Sequence, residues 1–450
     1  MTRQPAPESR PVGLTIAGSD AGGGAGIQAD LKTMEANGVF GTTVITSVTA
    51  QNTQGVTSTH PVPIEEITAQ YRAVTDDFAV RAAKTGMLGT AAVVETVTDL
   101  VGGLEAPLVV DPVMVAASGD RLLDESAEDA YGALLDEATL VTPNADEAGV
   151  LTGITPEDEK TARRAGHELV DRGADAALIK GGHVPGETVT DLLVTADREF
   201  SFVHPRIETE ATHGSGCTIS SAIVAGLATG QPLEDAVEAA VSFMERAVRY
   251  PLDVGHGPGS VNHLVGLRDQ AARQPVQEAV ESAVQTLVDA GVRDLVPEVG
   301  LNVVGATPYA EATGDTAAVE GRITKTLSGI KPNRGVRFGA SSHVARFLLT
   351  AREFEPALQF AANLRFDDAM EQALDALDWP TVEIDRSKEP APGLEGSTMQ
   401  WAARRAFETA VSVPYVVYDR GDVGKEAITR LLAPDAATLT DRTITLHESR

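Results

Sequence analysis

The chain has one cysteine in 450 residues. No intrachain disulfide can form, and a zinc site built on several thiolates is excluded. Aromatic residues are scarce, at 4%. No stretch approaches the roughly 18 apolar residues of a membrane span, and the polar start MTRQPAPESRP has no apolar targeting core. These absences lead us to expect a soluble, cytoplasmic protein. Positive charge is also short: 36 Lys and Arg stand against 65 Asp and Glu, net −29, and only eight of the bases are lysine. A surface this acidic argues against nucleic acid or an anionic membrane as the main partner. It costs stability through self-repulsion unless salt screens it. Acid-rich, Lys-poor and aromatic-poor composition points to a salt-rich cytoplasm.

What is present is enough to fold. Hydrophobic residues make up 42%, which supports a core, and the length exceeds a single core, so two domains are expected. Residues 1–11 read as a disordered tail. From Val12, short apolar runs (Val12–Ala17, Thr43–Val48, Leu108–Val110, Thr139–Thr142, Ala176–Ile179) alternate with amphipathic stretches (Gly26–Asn37, Ser126–Glu137, Glu159–Arg172, Thr218–Leu227, Pro232–Arg249). That alternation predicts an α/β fold, a mostly parallel sheet with helices on both faces. Residues 266–275 (GLRDQAARQP) are polar without an apolar period, so the first domain is placed at 12–265, a linker at 266–275 and a second, smaller α/β domain at 276–450. In the latter, Leu301–Val304, Gly335–Phe338 and Val413–Tyr418 read as strands. Gln277–Gly291, His343–Arg352, Phe366–Leu377, Met399–Val411 and Val423–Leu432 read as helices.

Two glycine clusters carry the chemistry of the first domain. Gly18–Lys32 (GSDAGGGAGIQADLK) follows the first strand and opens a helix, so its backbone can approach a ligand closely. It lacks the Lys-Ser/Thr of a P-loop, and a plain strand-to-helix turn, with Asp30 on a solvated face, is the competing reading. His213–Thr218 (HGSGCT) directly precedes an apolar helix, whose N-terminal amides and dipole favour an anion. The same field lowers a thiol pKa, which would make Cys217 an accessible thiolate; an inert buried thiol is the alternative. Asp111 follows one apolar strand, and Asn144 and Glu147 follow another. Carboxylates at strand ends can hold Mg²⁺ beside substrate phosphates, although Asn144 also suits an N-cap.

Taken together, AGSD at 17–20, GGAGIQADLKT at 23–33, TAQNT at 49–53, KTGML at 84–88, DPVM at 111–114, TPNADEA at 142–148, KGGH at 180–183, THGSGCT at 212–218 and GHGPGSVNH at 255–263 resemble the hydroxymethylpyrimidine/phosphomethylpyrimidine kinases of thiamine biosynthesis, within the ribokinase-like superfamily. The resemblance implies that Gly18, Asp30, Thr49, Gln51 and Met87 line a pyrimidine pocket. It implies that Asp111, Asn144 and Glu147 organise Mg²⁺ and ATP, with Asp111 and Glu147 as the metal ligands, and that Lys180 lies near the phosphates. Gly214, Ser215 and Gly216 would form the anion hole, and Cys217 would be the base. A pyridoxal-type kinase is the rival within the same fold.

In the second domain, residues 322–346 form a basic island in an acidic chain: Arg322, Lys325, Lys331, Arg334, Arg337 and Arg346, with His343. Such an island fits an anionic ligand or a surface strip paired to acids. Ala340-Ser-Ser-His343 and Gly396-Ser-Thr398 each precede a helix and could cap a phosphate or simply the helix. PEVGLNVVGA at 297–306, VEGRI at 319–323, RFGASSHVARFLL at 337–349, NLRFD at 363–367, EGSTMQW at 395–401 and YDRGDVGKE at 418–426 resemble the archaeal-type thiamine-phosphate synthase domain. That resemblance implies condensation of the pyrimidine diphosphate with a thiazole phosphate, with Arg322 and His343 important; a ligand-sensing module is the alternative. The partners expected are these small molecules, with no nucleic acid and no membrane; homo-oligomerisation stays open.

Overall fold

The computed structural model describes residues 6–115, 122–123, 127, 130–389 and 397–450. The chain divides into two compact units, Met1–Gly266 and Leu267–Arg450. Parts of three expected features lie outside the described residues: positions 1–5 of the tail, most of 126–129 in the expected helix Ser126–Glu137, and Gly396. No helix among the described residues is long and apolar enough to cross a membrane.

The first unit carries β1 (Val12–Ala17), β2 (Phe40–Ile45), β3 (Ser47–Asn52), β4 (Gly55–Pro61), β5 (Val80–Thr85), β6 (Leu108–Val110), β7 (Leu140–Val141), β8 (Ala176–Ile179), β9 (Thr188–Thr195) and β10 (Glu199–Pro205). Eight strands form one sheet in the order β10-β9-β8-β7-β6-β5-β1-β2. It is parallel from β2 to β8 and closes with antiparallel β9 and β10. β6 and β8 are buried at every residue, as expected of strands covered on both faces. Helices Ile64–Thr75, Ala91–Val101 and Glu159–Asp171 close one face. Helices Gly26–Ala36, Ser215–Ala228 and Leu233–Arg249 close the other. The expected run Thr43–Val48 breaks at Thr46: β3 leaves the sheet and pairs with β4 in a separate hairpin.

The second unit carries β11 (Asn302–Ala306), β12 (Thr316–Val319), β13 (Ile323–Thr326), β14 (Gly329–Pro332), β15 (Val336–Phe338), β16 (Phe360–Arg365), β17 (Thr381–Ile384), β18 (Val416–Asp419) and β19 (Ile428–Ala433). Its main sheet runs β15-β12-β11-β16-β19-β18-β17 and is antiparallel except between β17 and β18. Apolar cores cover both of its faces.

Two expectations are corrected here. Val423–Leu432 has apolar residues at helical spacing, yet Val423 is fully exposed. Its second half is β19, buried at every residue between β16 and β18. A central strand buried on both faces needs a continuous apolar run, which periodicity alone does not separate from a helix. The polar segment 266–275 is no irregular linker either; it lies in helix Val265–Ala290, which contains Pro275. Asp269 accepts the Tyr309 N–H at 3.0 Å, and the Arg273 guanidinium stacks 3.7 Å from the Phe338 ring centroid. The segment therefore packs as part of the second unit.

Candidate active site

Gly18, Met87, Asp111, Asn144 and Lys180 all follow the carboxyl ends of parallel strands, β1, β5, β6, β7 and β8 respectively. The fold thus brings residues 162 positions apart to one edge, where open α/β sheets bind ligands.

Asp20 organises the first glycine loop. Its carboxylate accepts the N–H groups of Gly22 (2.8 Å), Gly24 (2.9 Å) and Ala25 (2.7 Å), and His213 Nε2 lies 3.1 Å away. Burial opposes the charge on Asp20, but the His213 contact and the amide donors prevail and hold its carboxyl below the usual value. The second glycine loop packs directly on the first. Gly214 has φ +82°, and a Cβ there would lie 1.9 Å from Gly24 O, so only glycine fits. Gly214 is the N-cap of helix Ser215–Ala228. The first-turn amides of Gly216 and Cys217 precede the bond of Thr218 N–H to Gly214 O and are without an intrahelical acceptor.

Beside this helix end sits a charged centre. Lys180 Nζ is 3.1 Å from Asp111 Oδ1 and 3.9 Å from Glu147 Oε2. Thr142 and Ser220 hydroxyls also reach Asp111, at 3.1 and 3.4 Å. A Cβ on Gly216 would lie 3.5 Å from Lys180 Nζ and 3.6 Å from Asp111 Oδ2. Burial opposes ionisation of Asp111, but Lys180 and Lys84 hold its carboxyl below the usual value. Glu147 goes the other way. Burial, with Asp111 nearby, pushes it up to about 7 despite Lys180. Asn144 and Glu147 form a reciprocal capping box, each side chain taking the other's N–H at 2.9 and 2.8 Å. The N-cap reading of Asn144 therefore holds, and its amide oxygen is committed to it.

Two expectations about site residues change. Cys217 is half-buried at the helix N-terminus, but burial pushes its thiol up to about 12, with Lys84 and the Gly26 N–H offsetting only part. Desolvation of the thiolate outweighs the helix field, so the resting group is a thiol. Asp30 does not line a pocket. It is fully buried and bonded to Lys84 Nζ (2.9 Å), Ser221 Oγ (2.7 Å) and Thr15 Oγ1 (2.6 Å). The other residues expected at the ring do lie close together. Met87 and Ser47 crowd Gly18, where a Cβ would lie 2.5 Å from Met87 Cε. Thr49 donates to Ser19 O at 2.7 Å and reaches Gln51 Oε1 at 3.4 Å. Gln51 Nε2 is 3.5 Å from His213 Nε2. Asp20, Lys84 and His213 were not assigned roles from sequence. A lysine after the two alanines of the strand Val80–Thr85 was the available signal for one of them.

A family model described as phosphomethylpyrimidine kinase matches residues 20–262. The chain belongs to the phosphomethylpyrimidine kinase family. A second model, thiamine-phosphate synthase ThiN, matches residues 279–445. A hydroxymethylpyrimidine/phosphomethylpyrimidine kinase of Streptomyces coelicolor is 49% identical over 264 residues, covering 58% of this chain and 98% of its own. A thiamine biosynthesis bifunctional protein, ThiED, of Geobacter sulfurreducens is 44% identical over 269 residues, covering 59% and 54%. Among solved structures, an ADP complex of Bacillus subtilis pyridoxal kinase has a TM-score of 0.54 at 33% identity, covering 57% of this chain and 98% of that one. Staphylococcus aureus pyridoxal kinase with AMP-PCP and pyridoxal has a TM-score of 0.54 at 30% identity, covering 58% and 96%. The first unit is thus a ribokinase-like hydroxymethylpyrimidine/phosphomethylpyrimidine kinase domain and the second a thiamine-phosphate synthase domain. The chain is an enzyme of thiamine biosynthesis.

In the synthase domain the basic island is partly neutralised, because Arg334 and Arg337 both pair with Glu320, at 3.4 and 3.2 Å. Arg322 has φ +69°, a left-handed backbone unusual for a residue with a side chain. Its guanidinium donates to Val299 O. His343 is the first residue of helix His343–Phe354, with Ser342 Oγ 3.2 Å from its Nδ1. In the antiparallel β12–β15 ladder, Val319 faces Val336 and Ala317 faces Phe338. Arg322, beyond Val319, and His343, beyond Phe338, therefore leave the ladder from opposite ends.

Proposed function

We propose that the kinase unit phosphorylates 4-amino-5-hydroxymethyl-2-methylpyrimidine and then its monophosphate with ATP, and that the second unit joins the diphosphate to 4-methyl-5-(2-phosphoethyl)thiazole, releasing pyrophosphate. The observation that carries the kinase roles is the contact between the two glycine loops. On one side of it lie Gly18, Thr49, Gln51 and Met87; on the other lie Gly214–Cys217 with Lys180 and Asp111. An acceptor ring bound on the first side presents its hydroxymethyl to a phosphoryl group bound on the second.

In this reading the Gln51 amide, both donor and acceptor, recognises the aminopyrimidine edge. The Gly214–Gly216 amides and Lys180 stabilise charge on the transferring group. Cys217, after its thiol proton has passed to solvent, accepts the hydroxyl proton as the thiolate while the oxygen bonds to phosphorus and the bond to the ADP oxygen breaks. Asp111 and Glu147 would hold Mg²⁺. Among the described residues no group of three or more Asp, Glu, His or Cys side chains is placed to hold a metal ion, so phosphate oxygens and water would complete the shell. The pair fits by its chemistry: two carboxylates converge on Lys180 Nζ, at 3.1 and 3.9 Å, and oxygen donors beside a phosphate site suit Mg²⁺. The ion, when bound, would neutralise phosphate charge. Asp30 and Asn144 act as supports for the site. For the synthase, Arg322 or His343 would offset charge on the departing diphosphate. The acidic surface and the small-molecule substrates support a cytoplasmic location.

The test is a coupled assay on the purified chain with the pyrimidine, thiazole phosphate, ATP and Mg²⁺, reading thiamine phosphate, with pyridoxal as a competing kinase substrate. Cys217→Ala should cut both phosphorylations by about 10²-fold or more, and Cys217→Asp should restore part. Folded Cys217→Ala with full turnover would remove the base assignment. Arg322→Ala and His343→Ala are assayed separately with supplied diphosphate, and a loss in one variant alone locates the synthase site at that end of its sheet. Binding of thiamine compounds without turnover would replace the synthase with a sensor.

A further inference from the structure

Lys84 is a charged residue inside the sheet. It lies on β5, opposite Thr15 on one neighbouring strand and Val109 on the other, and it is fully buried. Its Nζ is 2.9 Å from Asp30 Oδ1. The same oxygen accepts Ser221 Oγ at 2.7 Å, and Asp30 Oδ2 accepts Thr15 Oγ1 at 2.6 Å. Packing does not explain the pair. Burying two charges costs about what their attraction returns, so a hydrophobic replacement would stabilise the fold as well or better. The location does point to a use. Ser221 is one helical turn after Cys217 on helix Ser215–Ala228, and residues four apart share a face. The ammonium thereby shares a carboxylate oxygen with a side chain one helical turn from the thiol. Among the described residues Nζ has one hydrogen-bond acceptor, Asp30, of the three its donors allow.

We propose that Lys84 is a positioning residue for phosphoryl transfer: a buried cation, aimed by Asp30, that stabilises the negative charge Cys217 must carry to accept the substrate's hydroxyl proton. The proposal rests on the proton-accepting role given to Cys217 above. The electrostatics agree. Of the charged groups facing the thiol, Asp30 and Asp111 push its proton affinity up, while Lys84 is the chief group pulling it down; Lys180, held against Asp111 and Glu147, also interacts with the thiol. The Lys84 charge itself is secure, because its pKa is raised by Asp30 despite burial.

The test uses the full chain and the fact that Cys217 is its only cysteine. Lys84→Met, the pair Lys84→Met with Asp30→Asn, and Lys84→Arg are compared for melting temperature, for the rate of Cys217 alkylation by iodoacetamide at pH 8, and for pyrimidine phosphorylation. The double variant leaves no unpaired buried charge, so it should melt near the parent even if Lys84→Met alone does not fold. It should nevertheless alkylate and turn over more slowly than the parent, though by less than the roughly tenfold or greater loss expected of Lys84→Met, the change in thiolate for one unit of thiol pKa, because losing Asp30 returns part of what losing Lys84 costs the thiolate. Lys84→Arg should recover part of both rates. A double variant that regains melting temperature, alkylation and kcat together would overturn the proposal and leave Lys84 as a counter-ion to Asp30. Failure of the proton-accepting reading looks different: Cys217→Ala would then turn over normally, while Lys84 variants still changed alkylation.

Discussion

Removing the Asp20 carboxylate tests whether the first glycine loop is a built ligand cradle or a loose turn. In Asp20→Ala, the N–H groups of Gly22, Gly24 and Ala25 and the His213 contact lose their acceptor together. Gly22 is exposed and its N–H can turn to water, whereas Gly24 is buried and Ala25 half-buried. The cost therefore concentrates on two donors, about 2–4 kcal/mol in all. For a unit of this size that is roughly 5–12 °C in the kinase-unit transition. Asp20→Asn should cost less, because an amide oxygen placed at Oδ2 keeps the Gly24 and Ala25 bonds and loses that of Gly22. The sign of the pH effect follows from the lowered pKa of Asp20. Its contribution is present above the unfolded value of about 4 and lost as pH falls below that, so the gap between parent and Asp20→Ala should narrow in acid. Calorimetry from pH 3 to 7 measures the stability, and the pyrimidine KM should rise with it. An Asp20→Ala protein that melts and binds pyrimidine like the parent would refute the reasoning, as would an Asp20→Asn protein damaged more than the alanine variant.

Gln51→Leu should raise the pyrimidine KM with little change for ATP, an unpaired polar edge costing about 1–3 kcal/mol; an unchanged KM removes Gln51 from the pocket. Glu147, pushed up to about 7, holds a proton in the folded state that the unfolded chain has released. Its contribution to stability must therefore fall as pH rises from about 4.5 to 7, and Glu147→Gln should flatten that part of the melting profile. A fragment of residues 265–450 should fold, while 274–450 should melt lower because it lacks Asp269 beneath Tyr309 N–H and Arg273 on Phe338; equal melting would return 266–275 to a linker. With net −29, the melting temperature should rise from 0.1 to 2 M KCl as screening relieves self-repulsion, and a steady fall would contradict the salt-adapted reading.

The one-dimensional pattern was sufficient for the elements that tertiary context does not override. β1, β6 and β8 lie where apolar runs end at turn residues, and helix Gly26–Ala36 begins where the glycine loop stops. Local chemistry was equally legible at Asn144, whose capping box needs only residues three apart. The sequence motifs also located both glycine loops and the family they resemble. Tertiary structure decided what depends on neighbours distant in the chain. Helix field and desolvation oppose each other at Cys217, and only the depth of burial sets the winner. Asp30 could be solvated, ligand-bound or paired until Lys84, 54 residues away, is brought against it. Val423–Leu432 became half strand because β16 and β18 leave a gap that only a strand buried on both faces fills. The basic island, contiguous in sequence, was parted by the antiparallel β12–β15 ladder, which sends Arg322 and His343 to opposite ends. Charge, burial and strand direction are properties of the packed chain, and no spacing along the sequence encodes them by itself.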